Sequence, residues 1–153
     1  MIQHDALMDG YYKNQLETNN TIKNGWLHTG DEGSIDKEGF LKITGRVKDI
    51  FKTSKGKYIA PSPIEMTLSS NEYIEQVCVV GLNLPQPIAI VVLSSTKNNK
   101  DRSETSSILL RILEMTNQEL DSHERLHNIV IVRDSWSVEN KLLTPTMKIK
   151  RNL

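Results

Sequence analysis

The sequence predicts an α+β fold: a small β-sheet domain with flanking helices, behind a short β-rich front. Three observations carry that expectation. Seven of the eight glycines fall within residues 1–56, and only Gly81 lies beyond. Two β-branched runs, "IEQVCVVGL" and "PIAIVVLS", follow, and the near-continuous second one reads as a buried strand. Helix-start signals alternate with these runs, which is the pattern of a sheet covered by helices.

The elements follow in order. "GWLHTGDEGSIDKEGFLKITGR" reads as short strands over 26–29, 34–36 and 40–44. "DKEG" is a hairpin turn in which Gly39 is free to take positive φ. This front has few apolar residues for a core of its own, so it is expected to be the edge of something larger. "DIFKTSKGKYIA" reads as two strands around a Ser-Lys-Gly turn. In "PSPIEMTLSSN", Ser62 is a candidate N-cap with Pro63 at the first helical position. Glu65 is expected to stabilise that helix's N-terminus. Asp101 with Glu104 makes a capping-box-like start to a helix running to about His123. Ile108, Leu109, Ile112, Leu113, Met115 and Leu120 would share its buried face. "NIVIVRD" returns as a strand, and "MKIKR" reads as a final short one.

The 153 residues suffice for one ordinary domain, or for a small domain plus a piece of another. A single cysteine, Cys78, excludes an intrachain disulfide and fits a reducing compartment. No run approaches the roughly 18 to 20 apolar residues of a membrane span, and the opening "MIQHDALMDG" has no signal-peptide pattern. A cytoplasmic protein is expected, with peripheral membrane association left open. Net charge is zero, yet it is unevenly spread. Residues 45–57 hold five cations against Asp49 alone, and residues 141–153 hold four cations and no acid. Two short basic segments in an acidic remainder suggest a small anionic ligand rather than a nucleic-acid track.

Three stretches reach beyond fold class: "GWLHTGDEG" (25–33), "GRVKDIFKTSKGKYIAPSPIE" (45–65) and "LTPTMKIKR" (143–151). In order and spacing they resemble the C-terminal part of the AMP-forming acyl-CoA synthetases, a superfamily that includes luciferases and peptide-synthetase adenylation domains. "DALMDGYYKN" is similar to that family's preceding motif, and the last two stretches most resemble the long-chain fatty-acid branch. The resemblance implies two steps. A carboxylate attacks the α-phosphate of ATP, giving an acyl-adenylate and pyrophosphate; the thiol of CoA then displaces AMP. ATP with Mg2+, CoA and a fatty acid are the implied substrates, met through an N-terminal domain that lies outside these residues. No ligand is expected on this chain alone, and alone it is expected to be inactive. Residues 1–46 are then the β-rich end of the adenylate-binding domain. Residues 47–153 are then the mobile C-terminal lid, with the hinge near Lys48.

The same resemblance assigns roles. Asp31 would accept both ribose hydroxyls, work suited to an ionised carboxylate; the alternative is a turn aspartate bonding its own backbone. Arg46 would be a second ribose contact, or a surface ion pair. Lys48 matches the hinge position, where torsional freedom matters more than the side chain. Lys52, Lys55 and Gly56 lie in the turn implied for the CoA step, where glycine lets backbone approach a ligand; the lysines could equally solubilise a hairpin. Lys148 would be the catalytic lysine of adenylation, a compact charge able to bridge carboxylate and phosphate. The family often has Gly-Lys here, where this chain has Met147-Lys148, so Lys150 remains a rival. His123 and His127 stand four apart but lack an evident third ligand, so no metal site is expected. Two other readings stay open: a ligase or adenylation domain for a different acid, and a non-catalytic binding or regulatory module.

Overall fold

The computed structural model describes residues 1–95 and 101–151. The chain divides into two compact units, residues 1–48 and 49–153.

In the first unit, helix α1 (Gln15–Thr21) starts where the Asn14 side chain accepts the Glu17 N–H. Strands β1 (Ile22–Lys23) and β2 (Trp26–Leu27) form a tight hairpin through Asn24 and Gly25, both at positive φ, the pairing such turns require. Strand β3 (Asp31–Ile35) pairs antiparallel with β4 (Leu41–Arg46). Their turn is held by the Asp36 carboxylate, which accepts the N–H groups of Glu38 and Phe40, and Gly39 takes φ +90°. β3 begins three residues earlier than the sequence suggests, so Asp31 lies in a strand rather than a turn. Among the described residues of this unit none is buried; Ile35, Phe40, Leu41 and Ile43 are all exposed. A short 3-10 turn, Val47–Asp49, leads into the second unit.

The second unit opens with a hairpin of β5 (Phe51–Lys52) and β6 (Tyr58–Ile59). Helix α2 (Pro61–Ser69) begins after Ala60, with Pro61 rather than Pro63 at the first position and no side-chain cap from Ser62. Both prolines fall in the first turn, where N–H groups have no helical partner. Strands β7 (Ile74–Val80), β8 (Ile88–Leu93) and β9 (Ile129–Val132) form the main sheet in that order. The first pair is antiparallel and the second parallel. Helix α3 (Arg102–Glu119) makes the crossover between β8 and β9. Asp101 stands at its N-cap without a side-chain cap bond; its carboxylate accepts the Ser103 hydroxyl instead. α3 ends at Glu119, so His123 and His127 lie outside any helix.

Strand alternation sorts the core onto two faces. Val77, Val79, Ala89 and Val91 join Ile59, Ile64 and Leu68, together with Leu109, Ile112, Leu126 and Ile129. Cys78 and Val92 face the other way and are covered by Trp136 and Leu143, with Ile149 packed alongside. One face is thus closed by helices, the other by the irregular segment after β9. Gln76 pins that segment, exchanging side-chain hydrogen bonds with the Trp136 backbone N–H (2.6 Å) and carbonyl (2.9 Å). Met115 is 68% exposed, so α3 buries a narrower stripe than its apolar residues suggest. Among the described residues no helix is long and apolar enough to cross a membrane.

Candidate functional site

Asp31 and Arg46 are register partners across β3 and β4. Their side chains meet as an ion pair, Arg46 Nε to Asp31 Oδ1 at 2.9 Å, at 53% and 31% side-chain exposure for Arg46 and Asp31. Gly30, at φ +75°, turns the chain into β3, and its carbonyl accepts the Val47 N–H beyond the end of β4. The Thr29 hydroxyl accepts the Asp31 N–H. Two residues fifteen positions apart are thereby set side by side on an accessible edge, one offering oxygens and the other N–H donors. Lys48 lies in the 3-10 turn at the boundary of the two units.

Two turns carry Lys55, Lys57 and Lys148, and they share one geometry. In "TSKGK" the Thr53 N–H donates to the Lys57 carbonyl, the Gly56 N–H to the Thr53 carbonyl, and the Lys57 N–H to the Thr53 hydroxyl. In "TPTMK" the Thr144 N–H donates to the Lys148 carbonyl, the Met147 N–H to the Thr144 carbonyl, and the Lys148 N–H to the Thr144 hydroxyl. The residue before each final lysine lies in the left-handed region, Gly56 at φ +79° and Met147 at φ +60°. These are three-residue hairpin loops ending in a left-handed position, where glycine is ordinarily required. Lys57 therefore occupies in the first turn the place of Lys148 in the second. Sequence reasoning passed over it, although the recurrence of Thr-x-x-x-Lys was there to be read.

The first turn is braced at its root. The Ser54 N–H donates to the Leu84 carbonyl and the Asn83 N–H to the Lys52 carbonyl, and Thr53 is buried. Lys52 extends over the Tyr58 ring, 5.4 Å from its centroid, while Lys55 and Gly56 stay exposed at the tip. The second turn is closed by a single bridge between Leu143 and Ile149 rather than by the strand expected over 147–151. The left-handed Met147 breaks the extended run. Lys148 sits on the loop side of the bridge, and the Lys150 N–H bonds the Leu142 carbonyl on its outer side. Both lysines are exposed, whereas Ile149 between them packs inward.

Arg151, counted in the sequence only as one more cation, is the most tightly held basic residue among the described ones. Its guanidinium grips Glu65 in a two-pronged pair, Nη1–Oε1 at 2.7 Å and Nη2–Oε2 at 2.6 Å. It also reaches the Val79 carbonyl at 3.3 Å, the Cys78 sulfur at 3.4 Å and, through Nε, Asp49 at 3.5 Å. Glu65 further accepts the Val79 N–H at 2.7 Å. It is thus a junction between α2, β7 and the chain end, five residues into its helix, rather than an N-terminal charge. Burial works against the Arg151 charge, but the hydrogen bond and negative charge of Glu65 outweigh it and hold the guanidinium above its ordinary pKa. The contact with Asp49, the sole acid of the first basic segment, brings the two basic segments together. Among the described residues no group of three or more His, Cys, Asp or Glu is gathered to hold a metal.

Residues 48–152 match the family described as the AMP-binding enzyme C-terminal domain. Fatty acyl-CoA synthetase B of Dictyostelium discoideum is 32% identical over 165 residues, spanning 96% of this chain and 24% of that protein. Long-chain-fatty-acid–CoA ligase 5 of Rattus norvegicus is 34% identical over 169 residues, with 98% and 25% covered. The chain thus spans about a quarter of the length of these relatives. The A domain of carboxylic acid reductase from Segniliparus rugosus, solved with AMP and a co-purified carboxylic acid, shares the fold. Its TM-score is 0.80 at 23% identity, over 97% of this chain and 25% of that one. With more than half its length inside the matched region, the chain belongs to the AMP-binding enzyme C-terminal domain family.

Proposed function

We propose that this chain is the C-terminal part of an ATP-dependent, AMP-forming long-chain fatty acid–CoA ligase. Residues 1–46 would close the adenylate-binding domain, and 47–153 would form the lid that turns about Lys48. The observation that carries the reading is the exposed Lys148, which closes a three-residue hairpin loop within a family match that spans it. Relatives named as fatty acyl-CoA synthetases and long-chain ligases support the substrate class.

The chemistry then assigns the groups. Adenylation joins two anions, the carboxylate and the triphosphate. The Lys148 ammonium reduces their repulsion and stabilises charge gathering around the α-phosphorus. Removing one preorganised contact of this kind costs about 3 to 4 kcal/mol, or roughly 100- to 1000-fold in rate. Asp31 accepts the ribose hydroxyls while Arg46 steadies it and donates in turn. Lys52 and Lys55, with Gly56 between them and Lys57, offer cations and open backbone to CoA in the second step. No residue of this chain is assigned to Mg2+, which would accompany the triphosphate. Lys148 is preferred over Lys150 because it closes the loop on the inner side of the Leu143–Ile149 bridge, whereas Lys150 lies beyond that bridge. A cytoplasmic setting is proposed on the single buried thiol and the family.

The test uses the full-length protein, wild type and Lys148→Ala. Pyrophosphate exchange into ATP driven by oleate is compared with thioester formation from preformed oleoyl-adenylate. Loss of exchange with retention of thioester formation is expected. Equal loss of both in a folded variant, or no wild-type exchange across a panel of acids, would overturn the reading.

A further inference from the structure

We infer that Arg151 is the positioning residue for Lys148, tying the lysine turn to the first residue past the hinge and to the helix-covered body of the lid. The inference rests on the proposed role of Lys148 and extends it to how that side chain is placed.

The Lys148 turn has little structure of its own. One bridge, Leu143 to Ile149, closes it, and its tip bonds only to itself through Thr144, Thr146 and Met147. A short hairpin without further pairing is marginal in water. Two attachments flank it. On the entering side Leu143 is buried against Cys78, Val92 and Trp136. On the leaving side, three residues beyond Lys148, Arg151 is fixed to Glu65, Val79 and Asp49. Apolar packing resists withdrawal but sets orientation loosely. A planar guanidinium gripping a carboxylate on two prongs fixes direction as well as distance. Side-chain exposure is only 19% at Arg151 and 14% at Glu65, so water competes weakly for the fork.

The partners have a logic. Glu65 lies on α2 and Val79 on β7, both within the core of the second unit, while Asp49 directly follows Lys48. Rotation at Lys48 would thus carry Asp49, Arg151 and Lys148 as one piece. A catalytic group displaced by about 1 Å can lose on the order of 100-fold in rate, so the fork is where such precision would be set.

The experiment uses the full-length enzyme carrying Arg151→Gln, Arg151→Lys, Lys148→Ala and the Arg151→Gln/Lys148→Ala pair. Arg151→Gln should lower kcat for oleate-driven exchange by roughly 10- to 100-fold, with KM for ATP and oleate little changed. Thioester formation from preformed adenylate should persist. Added to Lys148→Ala, it should cause no further loss of exchange, because it acts through that lysine. Arg151→Lys should recover part of the rate, keeping the charge but not the fork. Should Arg151→Gln not fold, Glu65→Gln, which keeps an acceptor for Val79, should give a smaller loss of the same pattern. Normal exchange in the folded arginine and glutamate variants while Lys148→Ala is inactive would overturn this inference alone. So would multiplicative losses in the double variant, or equal loss of both half-reactions. Full exchange in Lys148→Ala would overturn it together with the proposed role of the lysine.

Discussion

Asp31 and Arg46 hold one another at 2.9 Å across the β3–β4 pair. An exposed pair of this kind contributes about 0 to 1 kcal/mol to folding, so stability is a weak reason for its existence. Its value in the proposed enzyme would be orientation: the arginine would hold the carboxylate toward the ribose hydroxyls. Asp31→Asn in the full-length protein should therefore weaken AMP binding by roughly 10-fold or more, since hydrogen bonds to a charged acceptor are worth about 1.5 to 3 kcal/mol. Titration calorimetry with AMP reads this directly, and the unfolding midpoint should barely move.

Lys48→Pro should separate the two half-reactions. Proline locks φ and restrains Val47 before it, at the turn between the two units. In the full-length enzyme, adenylate formation should survive and thioester formation should fall steeply. Normal thioester rates in a folded Lys48→Pro protein would remove Lys48 as the pivot.

Met147→Gly should be tolerated. At φ +60° the methionine sits where side chains incur about 1 to 2 kcal/mol of strain, while glycine gives back about 0.5 to 1 kcal/mol through the unfolded chain. The equivalent turn already works with Gly56. Met147→Val, β-branched and poorly suited to that region, should lower exchange well below both. Steady-state exchange in the three proteins ranks them.

Gly81→Ala should destabilise the chain by about 1 to 3 kcal/mol, the usual range for overpacking. A Cβ there would lie 2.7 Å from Phe51 Cε2 and 2.9 Å from the backbone Cα of buried Pro87. Phe51 begins the hairpin that carries Lys52, so thioester formation should suffer as well. Urea unfolding gives the first effect and half-reaction assays the second.

Cys78 should make stability decline in alkali. Burial pushes its thiol above the ordinary value of 9.0, against the opposing pull of Arg151. The folded chain therefore keeps this proton when the unfolded chain releases it. The contribution is fully present below pH 9.0 and is lost as pH climbs toward the folded value. The slope for one proton is at most about 1.4 kcal/mol per pH unit. Urea unfolding of wild type and Cys78→Ala on either side of pH 9.0 should show the steeper decline in wild type.

What could be read in advance was local chemistry. β7 and β8 announce themselves by β-branched runs, and the Asp36–Gly39 turn by its residue types. The positions of Asp31, Arg46 and Lys148 stood out only through the resemblance of their motifs to a known family. Arg151 and Glu65 did not, because they are 86 residues apart and neither neighbourhood mentions the other. The pair arises only when β7 brings Val79 against α2. Met147 was misread for a different reason: "MKIKR" alternates like a strand, and nothing in its composition betrays a left-handed residue. Ser62 looked like a cap, yet Pro61 one place earlier already had the φ that starts a helix.

The span between Arg151 and Glu65 also bears on the order of assembly. β7 and β8 meet across a short connection and can pair early, whereas β9 must wait for α3 to be made. The fork waits longer still, because its two halves lie 86 residues apart along the chain. Contacts so distant along the chain form late. During synthesis, which adds roughly 5 to 20 residues per second from the N-terminus, the hinge turn and most of the sheet would exist before Lys148 had a fixed place. An enzyme built this way would fix its adenylating lysine only once the sheet and helices of the lid are already there to hold it.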